Sequence, residues 1–163
     1  MRHSQRGLAV ERCWADIPNH HAHVELDAFV VMPNHVHGIL CFVGDVAATP
    51  ASPLRRVAHG PLPGSLGSVV GSFKSAVTRS INRIVAGAAD RLWQQNYYEH
   101  VIRNDRAHDA IRQYILTNPQ RWDVDQENPL GAGTDRLDTF LEGLGVMDQV
   151  RRGDAGVAAT GEK

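Results

Sequence analysis

Hydrophobic and polar positions follow two different periods along the chain, and the clearest strand pattern lies between residues 24 and 43. Apolar runs over Val24–Met32 and His35–Val43 are separated by Pro33-Asn34, a pair of residues typical of a tight turn. This pattern predicts two antiparallel strands joined by a short hairpin. Side chains at i and i+2 share one face of a strand, so His35 and His37 are predicted to lie side by side.

Three other stretches carry apolar residues at the three- and four-residue intervals of an amphipathic helix. The first extends from about Gln5 to Ile17. The second has the most regular apolar stripe and extends from Leu66 to Ile84. The third continues to about Thr117, and Asn104 or Asp105 is expected to cap its start.

Polar and turn-forming residues mark the other boundaries. Ser65 or Ser68 can cap the second helix, and Pro18-Asn19 is expected to end the first. Before the third helix, Leu92–Arg103 is predicted to be an extended segment with alternating faces. The predicted order is therefore helix, hairpin, helix, strand, helix. The apolar stripe of the first helix is expected to comprise Leu8, Val10, Cys13 and Trp14.

Length and composition limit the chain to a few classes of protein. Its 163 residues suffice for one domain with a buried core. No apolar run approaches the roughly 20 residues of a membrane span, so a cytoplasmic protein that does not enter the membrane is expected. Cys13 and Cys41 lack the spacing of a thiolate zinc site or a disulfide framework.

Charge is distributed unevenly along the chain. Residues 1–122 carry 13 Lys and Arg against 9 Asp and Glu, whereas residues 123–163 carry 4 against 9. A basic body with an acidic tail is compatible with nucleic-acid binding but does not require it. We predict a domain over residues 1–125. Residues 126–163 are expected to form an acidic, Gly-rich and partly disordered tail, with a short helix around Leu137–Leu144.

Two pairs of polar residues could carry chemistry, and each pair also has an ordinary structural explanation. His35 and His37 could bind one metal ion or one phosphate, or they could be two histidines at the start of a strand. Tyr114 and Asn118 lie one helical turn apart. Their spacing alone favours a half-buried core tyrosine followed by a helix-ending asparagine. A third group comprises His20, His21 and His23. These histidines are expected to lie in a solvated loop and not to form a metal site.

Several short motifs nevertheless occur together in a fixed order. Met32–His37 (MPNHVH) is followed by Phe73-Lys74-Ser75, by Leu92–Arg103 (LWQQNYYEHVIR), and by Tyr114–Pro119 (YILTNP). This ordered set resembles the IS200-like transposase domain, specifically the REP-associated tyrosine transposases of the single-tyrosine HUH type. The resemblance covers about residues 8–125. It implies an α/β (α+β) ferredoxin-like sandwich, in which helices pack on one face of an antiparallel sheet.

The resemblance also assigns roles to the residues at matching positions. It implies that His35 and His37 are metal ligands, that Tyr114 is the catalytic nucleophile and that Asn118 is the third ligand. Nitrogen and oxygen ligands together suit Mn²⁺ or Mg²⁺. The implied substrate is single-stranded DNA beside a palindromic hairpin, cut and rejoined through a 5′-phosphotyrosine. Candidates for DNA contacts are Lys74, Arg79, Arg83, Tyr97, Tyr98 and Arg103.

The chain departs from this family before its first helix. Family members have a β-strand there, whereas only about four residues precede the first helix of this sequence. In the ferredoxin-like sheet that strand lies beside the strand that bears the histidines, so its loss would leave a long apolar edge. Three explanations are open: the true start lies upstream, the chain is a decayed copy, or another segment or a second chain fills the gap. Monomer and homodimer both stay open.

Three classes of function follow from these observations. The first is an enzyme, a metal-dependent DNA nicking and joining transposase, which requires a covalent adduct on Tyr114. The second is a catalytically decayed remnant that only binds DNA and is indifferent to Tyr114→Phe. The third is an unrelated metal-dependent hydrolase that uses His35 and His37 with water, and its cleavage would survive Tyr114→Phe without an adduct.

Overall fold

The structure, a computed structural model, describes residues 3–44, 61–85, 92–134 and 137–143. In these ranges the chain is a mixed α/β protein with two antiparallel strands and five α-helices. It divides between Leu92 and Trp93 into two compact units. No helix in the described ranges is both long and apolar enough to cross a membrane. The division into a domain of residues 1–125 and a tail of residues 126–163 stays a prediction, as does the disorder of residues 153–163, which lie outside the described ranges.

The first unit begins with helix α1 (Gln5–Ala15) and a single-turn helix α2 (Ile17–His20). The Ser4 hydroxyl accepts a hydrogen bond from a backbone N–H three residues further on and caps α1. The first helix thus ends earlier than predicted, and Pro18-Asn19 lies inside α2 instead of ending a helix. Proline fits there because the N–H groups of a first helical turn have no partner within the helix.

Strands β1 (Val24–Val31) and β2 (Val36–Phe42) form the predicted hairpin and are slightly shorter than expected. They pair antiparallel, with Val31 opposite Val36 at the closed end. The Met32 N–H donates a hydrogen bond of 2.9 Å to the carbonyl of His35, which closes the turn over Pro33-Asn34. The hairpin therefore places His35 directly before β2 and His37 inside it.

A β-bulge interrupts the pairing of this hairpin. The register shifts between Leu26 and Phe29, so two residues of β1 lie opposite one residue of β2. A bulge of this kind increases the local twist of the strand that carries the extra residue. The sequence alternates apolar and acidic residues up to Asp27 and is apolar from Ala28 to Val31, so the alternation ends at the bulge without specifying an inserted residue.

Helix α3 (Leu66–Ile84) contributes one buried apolar stripe to the first unit. Its start is capped by Ser65, whose hydroxyl accepts from the Ser68 N–H at 3.3 Å, which decides between the two predicted caps. α3 packs against α1. Leu8 of α1 was expected in the apolar stripe but is 42% exposed. The stripe of α3 was expected to include Ile84 as well, which is 43% exposed, and Leu66 and Val70, which are half-buried. The fully buried members of the predicted stripe are Val69, Phe73, Val77 and Ile81.

The second unit contains helix α4 (Asp105–Thr117), a 3₁₀ helix (Asn118–Val124) and helix α5 (Leu137–Gly143). The Asn104 side chain accepts from the Ala107 N–H at 2.8 Å and caps α4. α5 contacts α4, and its Leu141 side chain is fully buried. Both helices lie where the sequence predicted them.

The predicted extended strand over Leu92–Arg103 is wrong. This segment consists of bends and irregular backbone, and no strand is assigned to it. Asn96 has a φ of +70°, a left-handed conformation that interrupts the alternation a strand requires. The described part of the chain therefore has a sheet of two strands, β1 and β2.

Candidate metal centre and tyrosine helix

The imidazoles of His35 and His37 lie together, as the two-residue period of the strand predicted. Their Nε2 atoms are 3.0 Å apart, and the two rings are nearly perpendicular, with centroids separated by 4.7 Å. Both side chains are half-buried. Two ligand atoms that each lie about 2.1 Å from an octahedral ion are about 3.0 Å apart when they occupy adjacent positions. The pair can thus hold one divalent ion between its Nε2 atoms.

The hairpin turn supplies a partner for the outer nitrogen of His35. Asn34 Oδ1 lies 2.8 Å from His35 Nδ1. A carboxamide oxygen can only accept a hydrogen bond, so Nδ1 of His35 carries the proton and donates. In a neutral ring the other nitrogen, Nε2, then has its lone pair available as a metal ligand.

The strand that carries His37 is held in place by an aromatic side chain over a glycine. Trp14 of α1 stacks on Phe29 with a centroid distance of 4.3 Å and meets Phe73 of α3 edge-on at 5.7 Å. A Cβ atom at Gly38 would lie only 2.5 Å from Cη2 of Trp14. Glycine at this position lets the indole approach the backbone, which anchors β2 one residue away from His37.

Tyr114 and Asn118 belong to the second unit, at the junction of α4 with the 3₁₀ helix. Tyr114 lies in the last turn of α4, and Asn118 is the residue that ends α4 and begins the 3₁₀ helix. Pro119 follows in the first turn of the 3₁₀ helix, where a missing backbone N–H costs no helical hydrogen bond. Asn118 is therefore helical itself (φ −55°, ψ −41°), so the sequence places it correctly at the exit of the helix.

The side chain of Asn118 is fully buried, yet neither its Oδ1 nor its Nδ2 has a hydrogen-bond partner in the described part of the chain. Each buried polar atom left without a partner costs roughly 1–3 kcal/mol. Buried amides in native proteins are almost always satisfied, by protein, water or an ion. The amide oxygen of Asn118 is therefore free to bind a ligand that the protein itself does not supply.

The phenol ring of Tyr114 is surrounded by two other side chains of its unit. The side chain is only 3% exposed, and the Phe140 ring of α5 lies 5.2 Å from it. The Arg121 guanidinium lies over the ring, 4.6 Å from its centroid, and donates a hydrogen bond of 3.4 Å to the Tyr114 carbonyl. The prediction of a half-buried tyrosine thus underestimates its burial.

The cations proposed for DNA contacts on α3 do not form one patch. Arg79 and Arg83 are exposed and lie one turn apart. Lys74 lies on a different side of the helix, next to the buried stripe, and its burial lowers the pKa of its ammonium group. Arg79 and Arg83 are therefore the pair of cations on α3 that can contact one phosphate backbone together.

The other residues proposed for DNA contacts lie in the irregular segment before α4. Tyr98 is 46% exposed and can stack on a base, and Arg103 is exposed as well. Tyr97 is half-buried, and its burial, together with the Glu99 carboxylate, raises the pKa of its phenol. A phenol that is harder to deprotonate is a weaker nucleophile, so the structure supports Tyr97 as a DNA contact and not as an attacking group.

The histidines after α1 each bind a separate protein partner. His20 Nε2 lies 3.0 Å from Asp16 Oδ2, and His21 Nε2 lies 2.7 Å from the hydroxyl of Ser72. His23 Nε2 donates to the carbonyl of Gly64 at 3.2 Å, so His21 and His23 hold this segment against the start of α3, whereas the contact of His20 is local.

Comparison with known proteins places the chain in a family. An uncharacterized protein of Haemophilus influenzae is 39% identical over 130 residues, which cover 77% of this chain and 71% of that protein. The chain belongs to the family of that protein. No protein-family model matches the sequence. No solved structure matches it either.

Several contacts around Tyr114 were not predicted from the sequence of this family member. Arg121 and Phe140 approach the ring only because the 3₁₀ helix and α5 bring them there, and no spacing rule indicates either contact.

Asp125 was also not singled out from the sequence. It is only 2% exposed, and its Oδ1 accepts a hydrogen bond from the Glu127 N–H at 2.7 Å. An Asp that bonds the N–H two residues later is a usual turn former, so this turn could have been predicted, but the burial could not.

Proposed function

We propose that this protein is a metal-dependent enzyme that cuts and rejoins single-stranded DNA, of the REP-associated tyrosine transposase type with a ferredoxin-like fold. The observation that carries the proposal is the His35–His37 pair, whose Nε2 atoms lie 3.0 Å apart at the start of a strand. The ordered motifs that include Tyr114 and Asn118 give the pair its context. A histidine pair alone would not specify DNA as the substrate.

The donor atoms fit a divalent ion such as Mn²⁺ or Mg²⁺. By the resemblance, His35 and His37 would supply two imidazole nitrogens and Asn118 an amide oxygen, which has no partner in the described part of the chain. Nitrogen and oxygen ligands of these types would suit such an ion. An ion held by them would supply a Lewis acid for the scissile phosphate.

Tyr114 is the proposed nucleophile. Its phenolic oxygen forms a bond to the phosphorus while the bond from phosphorus to the 3′-oxygen breaks, and the phenolic proton finally resides on the released 3′-hydroxyl. The DNA is then held as a 5′-phosphotyrosine ester. Attack by the 3′-hydroxyl of another strand reverses the step and transfers the strand, and no nucleotide cofactor is needed because the ester conserves the phosphodiester bond energy.

DNA recognition is proposed to combine backbone and base contacts. Arg79 and Arg83 are suited to phosphates of one strand, and Tyr98 is suited to stacking on an unpaired base. Lys74, Tyr97 and Arg103 stay in the proposal as further contacts. The preferred substrate is a hairpin with a single-stranded flank, and the number of protein copies that bind it is not part of the proposal.

One observation favours a second candidate, a metal-dependent phosphodiesterase that uses water. Tyr114 is only 3% exposed and lies against Phe140, so its hydroxyl must be uncovered before it can reach a phosphate. A water-based reaction at His35 and His37 would not need that movement. The two candidates differ in whether DNA becomes attached to the protein.

A covalent-adduct assay tests the proposal. The protein is incubated with Mn²⁺ and a library of 3′-labelled hairpin oligonucleotides with randomised flanks, and the products are separated on a denaturing gel. We expect a slow protein–DNA band that is absent in Tyr114→Phe and in His35→Ala. Tyr98→Phe is the matched control, and its band should persist because phenylalanine keeps the ring that would stack on a base and removes only the hydroxyl. Cleavage without any adduct would support the phosphodiesterase instead, and DNA binding without cleavage would support a remnant that only binds DNA.

A further inference from the structure

The turn residue Asn34 lies at a position where it can control the chemistry of His35. Its Oδ1 is 2.8 Å from His35 Nδ1, and His35 Nε2 is 3.0 Å from His37 Nε2. Asn34 itself is exposed, so its side chain contributes little to the core. The contact therefore concerns the histidine more than the stability of the hairpin.

We propose that Asn34 is a positioning residue that keeps neutral His35 as its Nδ1–H tautomer and so directs the Nε2 lone pair toward the metal. A free neutral imidazole in water prefers the opposite tautomer, with the proton on Nε2, in which that nitrogen cannot be a ligand. A hydrogen bond from Nδ1–H to a fixed acceptor removes this preference. The inference rests on the proposed function insofar as the metal is the one used for DNA cleavage.

The hairpin explains why Asn34 can do this with a short side chain. Pro33-Asn34 forms a two-residue turn, and the hydrogen bond from the Met32 N–H to the His35 carbonyl fixes the backbone on both sides of it. A proline at the first turn position fixes its own φ and restricts the residue before it, which limits the conformations of the turn. The amide of Asn34 is thus presented to the adjacent ring by a rigid turn.

The same tautomer fits the contact within the histidine pair. With Nε2 of neutral His35 as an acceptor, the 3.0 Å contact is a hydrogen bond that His37 Nε2 donates in the metal-free protein. Loss of Asn34 would remove the acceptor that favours this arrangement.

Nuclear magnetic resonance of the full-length, metal-free protein tests the tautomer directly. Long-range ¹H–¹⁵N spectra at alkaline pH distinguish the two neutral forms of a histidine ring, and His35→Gln assigns the signals of His35. We expect the Nδ1–H form in the wild type and in Asn34→Asp, which keeps an acceptor, but mainly the Nε2–H form in Asn34→Ala. A wild-type His35 in the Nε2–H form, or an unchanged tautomer in Asn34→Ala, would overturn the proposal.

Calorimetric titration with Mn²⁺ measures the consequence for binding. Asn34→Ala should weaken Mn²⁺ roughly 10- to 100-fold, the range found for lost outer partners of ligating histidines, whereas Asn34→Asp should retain the affinity. Asn19→Ala is the matched control, because Asn19 bonds Asp16 and not a histidine of the pair. Unchanged Mn²⁺ affinity in Asn34→Ala would refute the positioning role even if adducts form. If neither the wild type nor any variant forms an adduct, the proposed DNA-cleavage function is refuted. The role of Asn34 would still be decided by the spectra of the metal-free protein.

Discussion

Asn118 carries a structural cost that a bound ligand would offset. Its amide is completely buried, and both polar atoms lack a partner among the described residues. A residue with only a structural role at this position would be better replaced by an apolar side chain of similar size, because the desolvation of the amide is not recovered. An asparagine here is consistent with a ligand that the chain alone does not supply.

We expect Asn118→Leu to separate stability from activity. Removal of two unsatisfied buried atoms should leave the free energy of unfolding of the metal-free protein unchanged or raise it by about 1 kcal/mol. The same variant should lose Mn²⁺ affinity and adduct formation, because leucine has no ligand atom. Urea unfolding and calorimetry measure the two effects. A loss of stability above about 2 kcal/mol with normal Mn²⁺ affinity would show that the amide is structural.

Tyr97 gives a prediction for alkaline pH. Its pKa is raised by burial first and by the Glu99 carboxylate second. A folded-state pKa above the unfolded value means that the folded protein holds this proton longer. The corresponding stability is complete below the unfolded value, near pH 10, and is lost as the pH rises through the folded value.

We therefore expect the ultraviolet absorbance of tyrosinate to include a titration step above the ordinary value for tyrosine that is missing in Tyr97→Phe. In Glu99→Gln the step should shift toward lower pH but persist, since burial is the larger cause. A wild type in which Tyr97 titrates at the ordinary value for tyrosine would contradict the assigned environment.

At the scale of elements, the contact of Trp14 with Gly38 couples α1 to the strand that carries His37. The indole lies against Phe29 and Phe73, so it joins the hairpin to both α1 and α3. The space above Gly38 is filled by this ring, and an added Cβ would meet it at 2.5 Å. Backbone in that position cannot move easily, because the aromatic cluster is held from several sides.

Gly38→Ala should destabilise the protein by roughly 1–3 kcal/mol, the usual cost of overpacking, and should weaken Mn²⁺ binding by displacing the strand beside His37. Gly71→Ala is the matched control. Gly71 lies in the interior of α3 with open space around it, so alanine there should stabilise the helix by up to about 1 kcal/mol. Equal stability of the two variants, measured by urea unfolding, would show that the indole can move aside.

At the scale of the whole molecule, a metal that binds only the folded chain must stabilise it. The gain follows from mass action and reaches about 2.7 kcal/mol when free metal exceeds the dissociation constant 100-fold. It requires the ligands to be brought together by folding, because residues 35 and 37 are adjacent on one face only in a strand.

Mn²⁺ should therefore raise the midpoint of thermal unfolding of the wild type, and a chelator should reverse the rise. The effect should disappear in His35→Ala and His37→Ala but persist in His20→Ala, whose ring bonds Asp16 instead. An equal rise in all four proteins would indicate Mn²⁺ binding elsewhere on the chain.

Local patterns in the sequence determined much of the fold. The hairpin, α3 and α4 were predicted because their signals are local: a turn pair between apolar runs, a regular stripe, and capping residues near each helix start. The structure then chose Ser65 over Ser68 and Asn104 over Asp105 as the caps. The side-by-side histidines and the one-turn spacing of Tyr114 and Asn118 followed from strand and helix periods alone. These features depend on residues that are close in sequence, so they could be derived without the tertiary structure.

Only the tertiary structure decided the surroundings of those residues. The segment over Leu92–Arg103 alternates like a strand but is irregular, since a strand needs a hydrogen-bonded neighbour and periodicity does not show whether one exists. The burial of Asn118 and the close contact of Trp14 with Gly38 arise between residues that are far apart in sequence or meet only after packing. Burial, orphaned amides and aromatic contacts are properties of the assembled chain, so they had to come from the structure.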